Sequence, residues 1–289
     1  MQLSGWLAFA ALGIVWGLPY FFIKLAVAEV PPVVIAFVRV TLAAAVLLPL
    51  SWRRGAFVRL GHNKGALFAF ALVEFVVPFT AIAIGERWID SSVTGILIAM
   101  VPLSIALMQR FFGISERLGA ARTGGLVLGL IGVATLVGAG PITGTQGWLG
   151  CACMVLATLG YASGPLIILR YLPDTDSLGA LSVSLVMAAA VLALPALLQW
   201  PHAWPSATAL LSITVLGIVC TAIAMLLMFY LVRHIGASRA AVVTYINPLV
   251  ATLLGVLLLD ERLGLGGYLS FALILLGSWL ATRGSAATR

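Results

Sequence analysis

The stretch Ser115-Glu116-Arg117-Leu118-Gly119 returns as Asp260-Glu261-Arg262-Leu263-Gly264, a displacement of 145 residues. Working outward, Pro102 and Pro248 each sit midway along an apolar run, 146 residues apart. Pro19 and Pro165, Lys24 and Arg170, Arg87 and Arg233, and Ser92 and Ser238 keep that same displacement of 146. A single-residue gap between Pro248 and Asp260 reconciles the two values. The second half of the chain therefore repeats the first.

Composition places both copies in lipid. Apolar residues make up 62% of the chain and charged residues 9%. A soluble domain carries about 25% charge, without which it could not cover its outside in water. The 289 residues hold about ten spans of roughly 20 residues with short loops. Hydropathy predicts these spans near 4–24, 31–50, 65–84, 91–112, 120–140, 147–169, 178–199, 207–232, 238–258 and 264–282. The first run lacks a basic start and a cleavage site, so it reads as a span and not a signal peptide. Cys151, Cys153 and Cys220 all lie in apolar runs. Their spacing fits neither a zinc nor a redox motif, and they read as small membrane residues.

The net charge of +7 is an orientation signal. With both termini in the cytoplasm, the inside loops hold Arg53, Arg54, Arg59, Lys64, Arg110, Arg117, Arg122, Arg170, Arg233, Arg239, Arg283 and Arg289. The outside loops hold only Lys24, Arg87 and Arg262, so the bias is 12 to 3. This is the asymmetry that positive-inside insertion requires. It predicts a multi-pass protein of the cell inner membrane that contacts lipid and no nucleic acid.

Five spans per half is an odd number, so the halves, 1–142 and 143–289, must insert with opposite orientation. The fold class predicted is an all-α integral membrane protein of ten transmembrane helices in two inverted five-helix repeats. Broken apolar helices at matching places in such repeats mark the substrate site of many secondary transporters.

Several residues resemble a known family at this point. Trp16-Gly17 followed by Lys24, and Arg39 in the second span, resemble the opening of the EamA domain of the drug/metabolite transporter superfamily. Glu116-Arg117-Leu118, then Gly125 and Gly129-Leu130-Ile131-Gly132-Val133, resemble that domain's ending, with Ser115 where a Gly is usual. Asp260-Glu261-Arg262-Leu263 and Gly277 supply the second copy, and Pro102 and Asn247-Pro248 also fit. The resemblance spans about residues 5–283, and within the family the chain looks like the YddG-type exporters of aromatic amino acids. It implies a central cavity lined by helices one, three, four, six, eight and nine, cytoplasmic termini, and export of small metabolites by alternating access.

The candidate site residues follow from depth and chemistry. Proline inside a helix frees a carbonyl and kinks the helix. Pro19, Pro78, Pro102, Pro165 and Pro248 are the candidate kinks and gating points. Trp16, Phe75, Phe79, Tyr161 and Tyr245 offer rings to an apolar or aromatic substrate, and Met100 lies close to Pro102. Asn247 is either a handle for substrate or a partner for the backbone freed by Pro248. Arg39 and Glu74 are the two clearly intramembrane charges. At 1.5 Å per residue their Cα depths differ by only about 4 Å. They read either as a buried charge pair locking two helices or, for Glu74, as a proton or substrate-ammonium site. Trp6, Trp52, Trp88, Trp200 and Trp204 lie near span ends as an interfacial belt. Gly125, Gly129 and Gly132 form a small-residue stripe for close helix contact, inside the fold or between copies, and the expected state is a monomer or weak homodimer.

No Ser/His/Asp or Cys/His constellation, metal cluster, Walker loop or GxGxxG stretch is present in the sequence. No enzyme activity and no cofactor is therefore expected, and the substrate is a small molecule, with aromatic amino acids leading. Export of drugs or other small metabolites, a membrane-embedded enzyme and a lipid flippase are the alternatives that the residues leave open.

Overall fold

The computed structural model describes residues 3–60, 63–113, 119–138, 144–236 and 240–283. The first copy of the repeated motif at 115–118, Ser238, Arg239, His62, Arg289 and the junction at 142–143 lie outside the described residues, as do the side chains of Arg59, Arg122 and Arg283. Within the described residues the chain runs back and forth as ten helical rods. These are α1 (Leu3–Ala26), α2 (Pro32–Arg53), α3 (Lys64–Gly85), α4 (Ser91–Met108) and α5 (Ala120–Gly138). The second half repeats them as α6 (Gly144–Tyr171), α7 (Ser177–Leu198), α8 (Ala207–Ile235), α9 (Val242–Leu258) and α10 (Leu265–Arg283). Seven of these are long and apolar enough to cross a membrane, and the apolar stretches of α5, α9 and α10 are shorter.

The packing is symmetric under exchange of the halves. Helix α2 packs on α7, α4 on α9 and α5 on α10, each against its own repeat equivalent. Helix α1 packs on α8 and α9, and its equivalent α6 packs on α3 and α4. The expected repeat is thus built into the neighbour pattern.

Prolines interrupt the same two rods. Pro102 has no N–H to give Ile98, so α4 divides into Ser91–Ile98 and Val101–Met108. In α9 a 3-10 turn, Ala241–Tyr245, precedes a helix that restarts at Asn247 with Pro248 in its first turn. Helices α1 and α6 run unbroken through Pro19 and Pro165. A second matched irregularity has no proline signature in both halves. Helix α3 carries a π turn at Leu72–Val76 and α8 one at Ile218–Ile223. Pro78 follows the first, whereas in α8 the Thr221 hydroxyl bonds the Leu216 carbonyl at 2.8 Å. π turns of this kind are frequent at functional sites.

The glycine stripe packs within the fold. A Cβ on Gly125 would lie 2.6 Å from Gly277 O, and one on Gly277 2.6 Å from Gly129 N. Only glycine permits α5 and α10 to approach backbone to backbone, the geometry by which membrane helices gain dispersion contacts. The outer Trp6, Trp52, Trp200 and Trp204 are exposed, as belt residues are.

Candidate substrate cavity

The rods enclose a cavity of about 300 Å³, at the lower end of the 300–1,000 Å³ typical of small-molecule sites. Its walls come from α1, α3, α4, α6, α8 and α9, and also from α2, which contributes Arg39. Arg39 and Glu74 are the only charged groups among the described lining residues.

Arg39 is buried, and its Nε donates to Thr221 Oγ1 at 2.9 Å. Its Cζ lies 3.6 Å from the centroid of the Phe79 ring, a cation–π stack. Phe79 is held edge-on by Phe75, and Phe75 by Phe70, each pair at 5.7 Å. The guanidinium is thus positioned by one hydroxyl and a stack of rings.

Glu74 sits in the π turn of α3. Its Oε2 is buried and has no hydrogen-bond partner. Across from it, α6 carries Gly164, where any Cβ would collide with that oxygen. One turn away, a Cβ on Gly160 would lie 2.5 Å from Val73 O. Two glycines of α6 therefore seat the irregular part of α3.

The expected Arg39–Glu74 pair does not form. Arg39 lies over Phe79, five residues beyond Glu74 and so about 7.5 Å further along α3. The depth arithmetic allowed a pairing that helix rotation and the pull of Thr221 and Phe79 prevent. The two residues share one cavity, Arg39 with its own partners and Glu74 Oε2 with none.

Trp16, Phe79, Tyr161, Tyr245 and Asn247 line the cavity, with Pro19, Pro102, Pro165 and Pro248. Met100 does not. It occupies the break in α4, and there it packs toward the helical core while Ala99 and Val101 on either side face the cavity. Pro78 is also outside, with its Cγ 2.9 Å from where a Gly160 Cβ would be. The Asn247 amide nitrogen, in the orientation that satisfies its surroundings, is 3.2 Å from both Val243 O and Gly13 O. Its donors are spent on backbone, tying α9 to α1. Sequence reasoning missed Tyr20, Thr221, Met225 and Met228. Tyr20 follows Trp16 by one helical turn and was open to discovery on spacing. Thr221 faces inward because of a π turn that leaves no mark in α8.

The cavity is not equally closed at its two ends. At the end where α4 begins, Ser91–Ile98 packs on Asn247–Leu258, and a Cβ on Gly95 would lie 2.5 Å from the Ala251 Cβ. Glu261 secures this end by accepting from Ser91 N at 2.7 Å, Ser91 Oγ at 2.8 Å and Ser92 N at 2.9 Å. A carboxylate here caps the first turn of α4 and complements its dipole. Toward the opposite end, Val101, Pro102 and Ile105 of α4 and Thr244 and Tyr245 of α9 form the cavity wall.

The description EamA-like transporter family matches the chain twice, at residues 3–138 and 148–283. The chain is 29% identical over 283 residues to the uncharacterized inner membrane transporter YedA of Escherichia coli K12, covering 96% of this chain and 90% of that protein. It is 23% identical to the uncharacterized transporter YoaV of Bacillus subtilis, covering 96% of each. A solved crystal structure superposes with a TM-score of 0.66 at 20% identity, over 98% of both chains, and shares the fold.

Proposed function

This chain belongs to the EamA-like transporter family, and we propose that it exports small, largely apolar zwitterions, aromatic amino acids foremost, from the cytoplasm by alternating access. The observation that carries this reading is that Arg39 and Glu74 are not paired with each other in one largely apolar cavity. A substrate carboxylate suits the guanidinium nitrogens that Thr221 leaves free, and an ammonium entering beside Glu74 would give its carboxyl the donor it lacks. Trp16, Tyr161 and Tyr245 stand beside them as ring surfaces for the side chain. A substrate of high net charge would find no further compensation in such a cavity.

The halves 1–142 and 143–289 act as the two exchanging units in this reading. The basic bias supports cytoplasmic termini and a location in the cell inner membrane. The shut end then faces outward and the wider end faces the cytoplasm, where an exporter loads. Inverted repeats supply the reverse state by exchanging conformations.

The test is efflux of a radiolabelled amino-acid panel from liposomes carrying the purified protein. Phenylalanine, tyrosine and tryptophan should leave faster than from empty liposomes, and glutamate and lysine should not. Efflux of none of the amino acids would overturn the substrate assignment.

A further inference from the structure

Glu86 lies at the shut end, immediately after α3, and is completely buried. Neither carboxyl oxygen has a hydrogen-bond partner. The nearest base does not serve it. Lys24 at the end of α1 donates its Nζ to the backbone carbonyls of Glu86 at 2.9 Å and of Ile89 at 2.8 Å. Glu261 is likewise committed, to the first turn of α4. The other ionisable groups facing this corner are Arg39 of α2, Tyr20 of α1 and Asp90 on the same turn.

A carboxylate sealed away without donors is strongly disfavoured, and the group takes a proton instead. Burial raises the pKa of Glu86 well above the carboxylate range, with Lys24 opposing and Glu261 adding to the effect. Among the described residues, the equivalent positions at the opposite end do not repeat this arrangement. The repeat equivalent of Glu86 is Val232, and Arg170, the equivalent of Lys24, bonds Phe112 O rather than the end of α8. Among the described residues, the carboxyl and the lysine latch thus occur together at this end.

We propose that Glu86 is a proton-binding site of the gate: it holds one proton while Lys24 keeps this end shut, and releases it to solution on that side when the latch opens. The proposal rests on the alternating-access reading, since the end must open. Its sign follows from linkage. The shut state has the higher Glu86 pKa, so it is favoured fully below the open-state value and loses ground as pH rises toward the shut-state value. Between the two values the opening equilibrium rises about tenfold per pH unit.

The experiment uses the full chain in intact cells with Cys151→Ala, Cys153→Ala and Cys220→Ala. Ile98→Cys then places one thiol on the cavity wall. A membrane-impermeant thiol reagent is applied outside. Trp204→Cys, exposed at the same end, corrects for the reagent's own pH dependence and confirms the side. Corrected labelling at Ile98→Cys should rise with external pH from 5 to 8. Glu86→Gln, neutral at every pH and close in shape, should keep labelling low and flat, and Glu86→Asp should restore the rise. Lys24→Gln should raise labelling at every pH. A flat response in the protein with Glu86 intact, or an unchanged rise in Glu86→Gln, overturns the proposal. Labelling at Trp204→Cys but never at Ile98→Cys, in any variant, sinks alternating access as well.

Discussion

Gly164 of α6 leaves the space into which Glu74 Oε2 projects, so that a β-carbon at 164 and the carboxyl at 74 exclude each other. This relationship between two helices from opposite repeats makes the position of Glu74 a property of the assembled cavity. Gly164→Ala should therefore displace the carboxyl and depress transport, while the amount of protein in the membrane stays near normal. Wild-type transport by Gly164→Ala would mean that Glu74 does not need its present seat.

Glu74→Gln separates a binding role from a structural one. The carboxyl has an unpartnered buried oxygen and no ion pair with Arg39, so its removal takes away no stabilising contact. Thermal stability should hold or rise. Loss of a substrate ammonium contact of about 1–3 kcal/mol would weaken apparent affinity about 5- to 150-fold. A lowered melting temperature with unchanged affinity would point to a structural partner instead.

Arg39 should read the substrate's carboxylate. The protein with Arg39 intact should prefer an aromatic amino acid to the corresponding amine that lacks the carboxyl. Competition assays should show that preference collapsing in Arg39→Met. Retention of the full preference would remove Arg39 from recognition. The same variant loses the bond to Thr221 and the stack on Phe79, so its thermal stability should also fall.

Asn247→Ala should act mainly on stability. Its amide bonds Val243 O and Gly13 O, and losing these two bonds costs about 1–3 kcal/mol. The expected result is a lower melting temperature, with substrate affinity changed less than by Glu74→Gln. A large selective loss of affinity would return Asn247 to the role of substrate handle.

Topology is testable without any substrate. Reporter fusions at Arg59, Thr143 and Arg289 should read inside, outside and inside. Any other order would break the two-repeat, cytoplasmic-termini arrangement, because five spans separate the first repeat's start from its end.

The repeat, the number of rods and the two proline breaks were legible because they rest on local properties. Hydrophobic run length sets a span, and a missing N–H interrupts a helix wherever it occurs. Pro102 and Pro248 accordingly break α4 and α9 at matching places. The rings at Trp16, Tyr161 and Tyr245 were legible for the same reason, being deep in spans on the helices that meet at the centre. Met100 shows where this stops. The break beside it changes which face of α4 is inward, and spacing along a regular helix no longer predicts direction.

The sequence by itself determined a polytopic, inverted-repeat membrane protein, because apolar periodicity and odd span number constrain insertion irrespective of packing. Only the tertiary structure decided that Arg39 and Glu74 stand apart, that Asn247 serves backbone, that Glu261 caps α4, and that Glu86 is sealed without a partner. Each of these depends on the rotation of one helix against another far away in the chain. Those rotations are set by π turns and glycine contacts at Gly95, Gly164 and Gly277. In a bilayer, where lipid tails are as apolar as leucine, close backbone packing and the satisfaction of buried polar groups choose among rotations that hydropathy leaves equivalent.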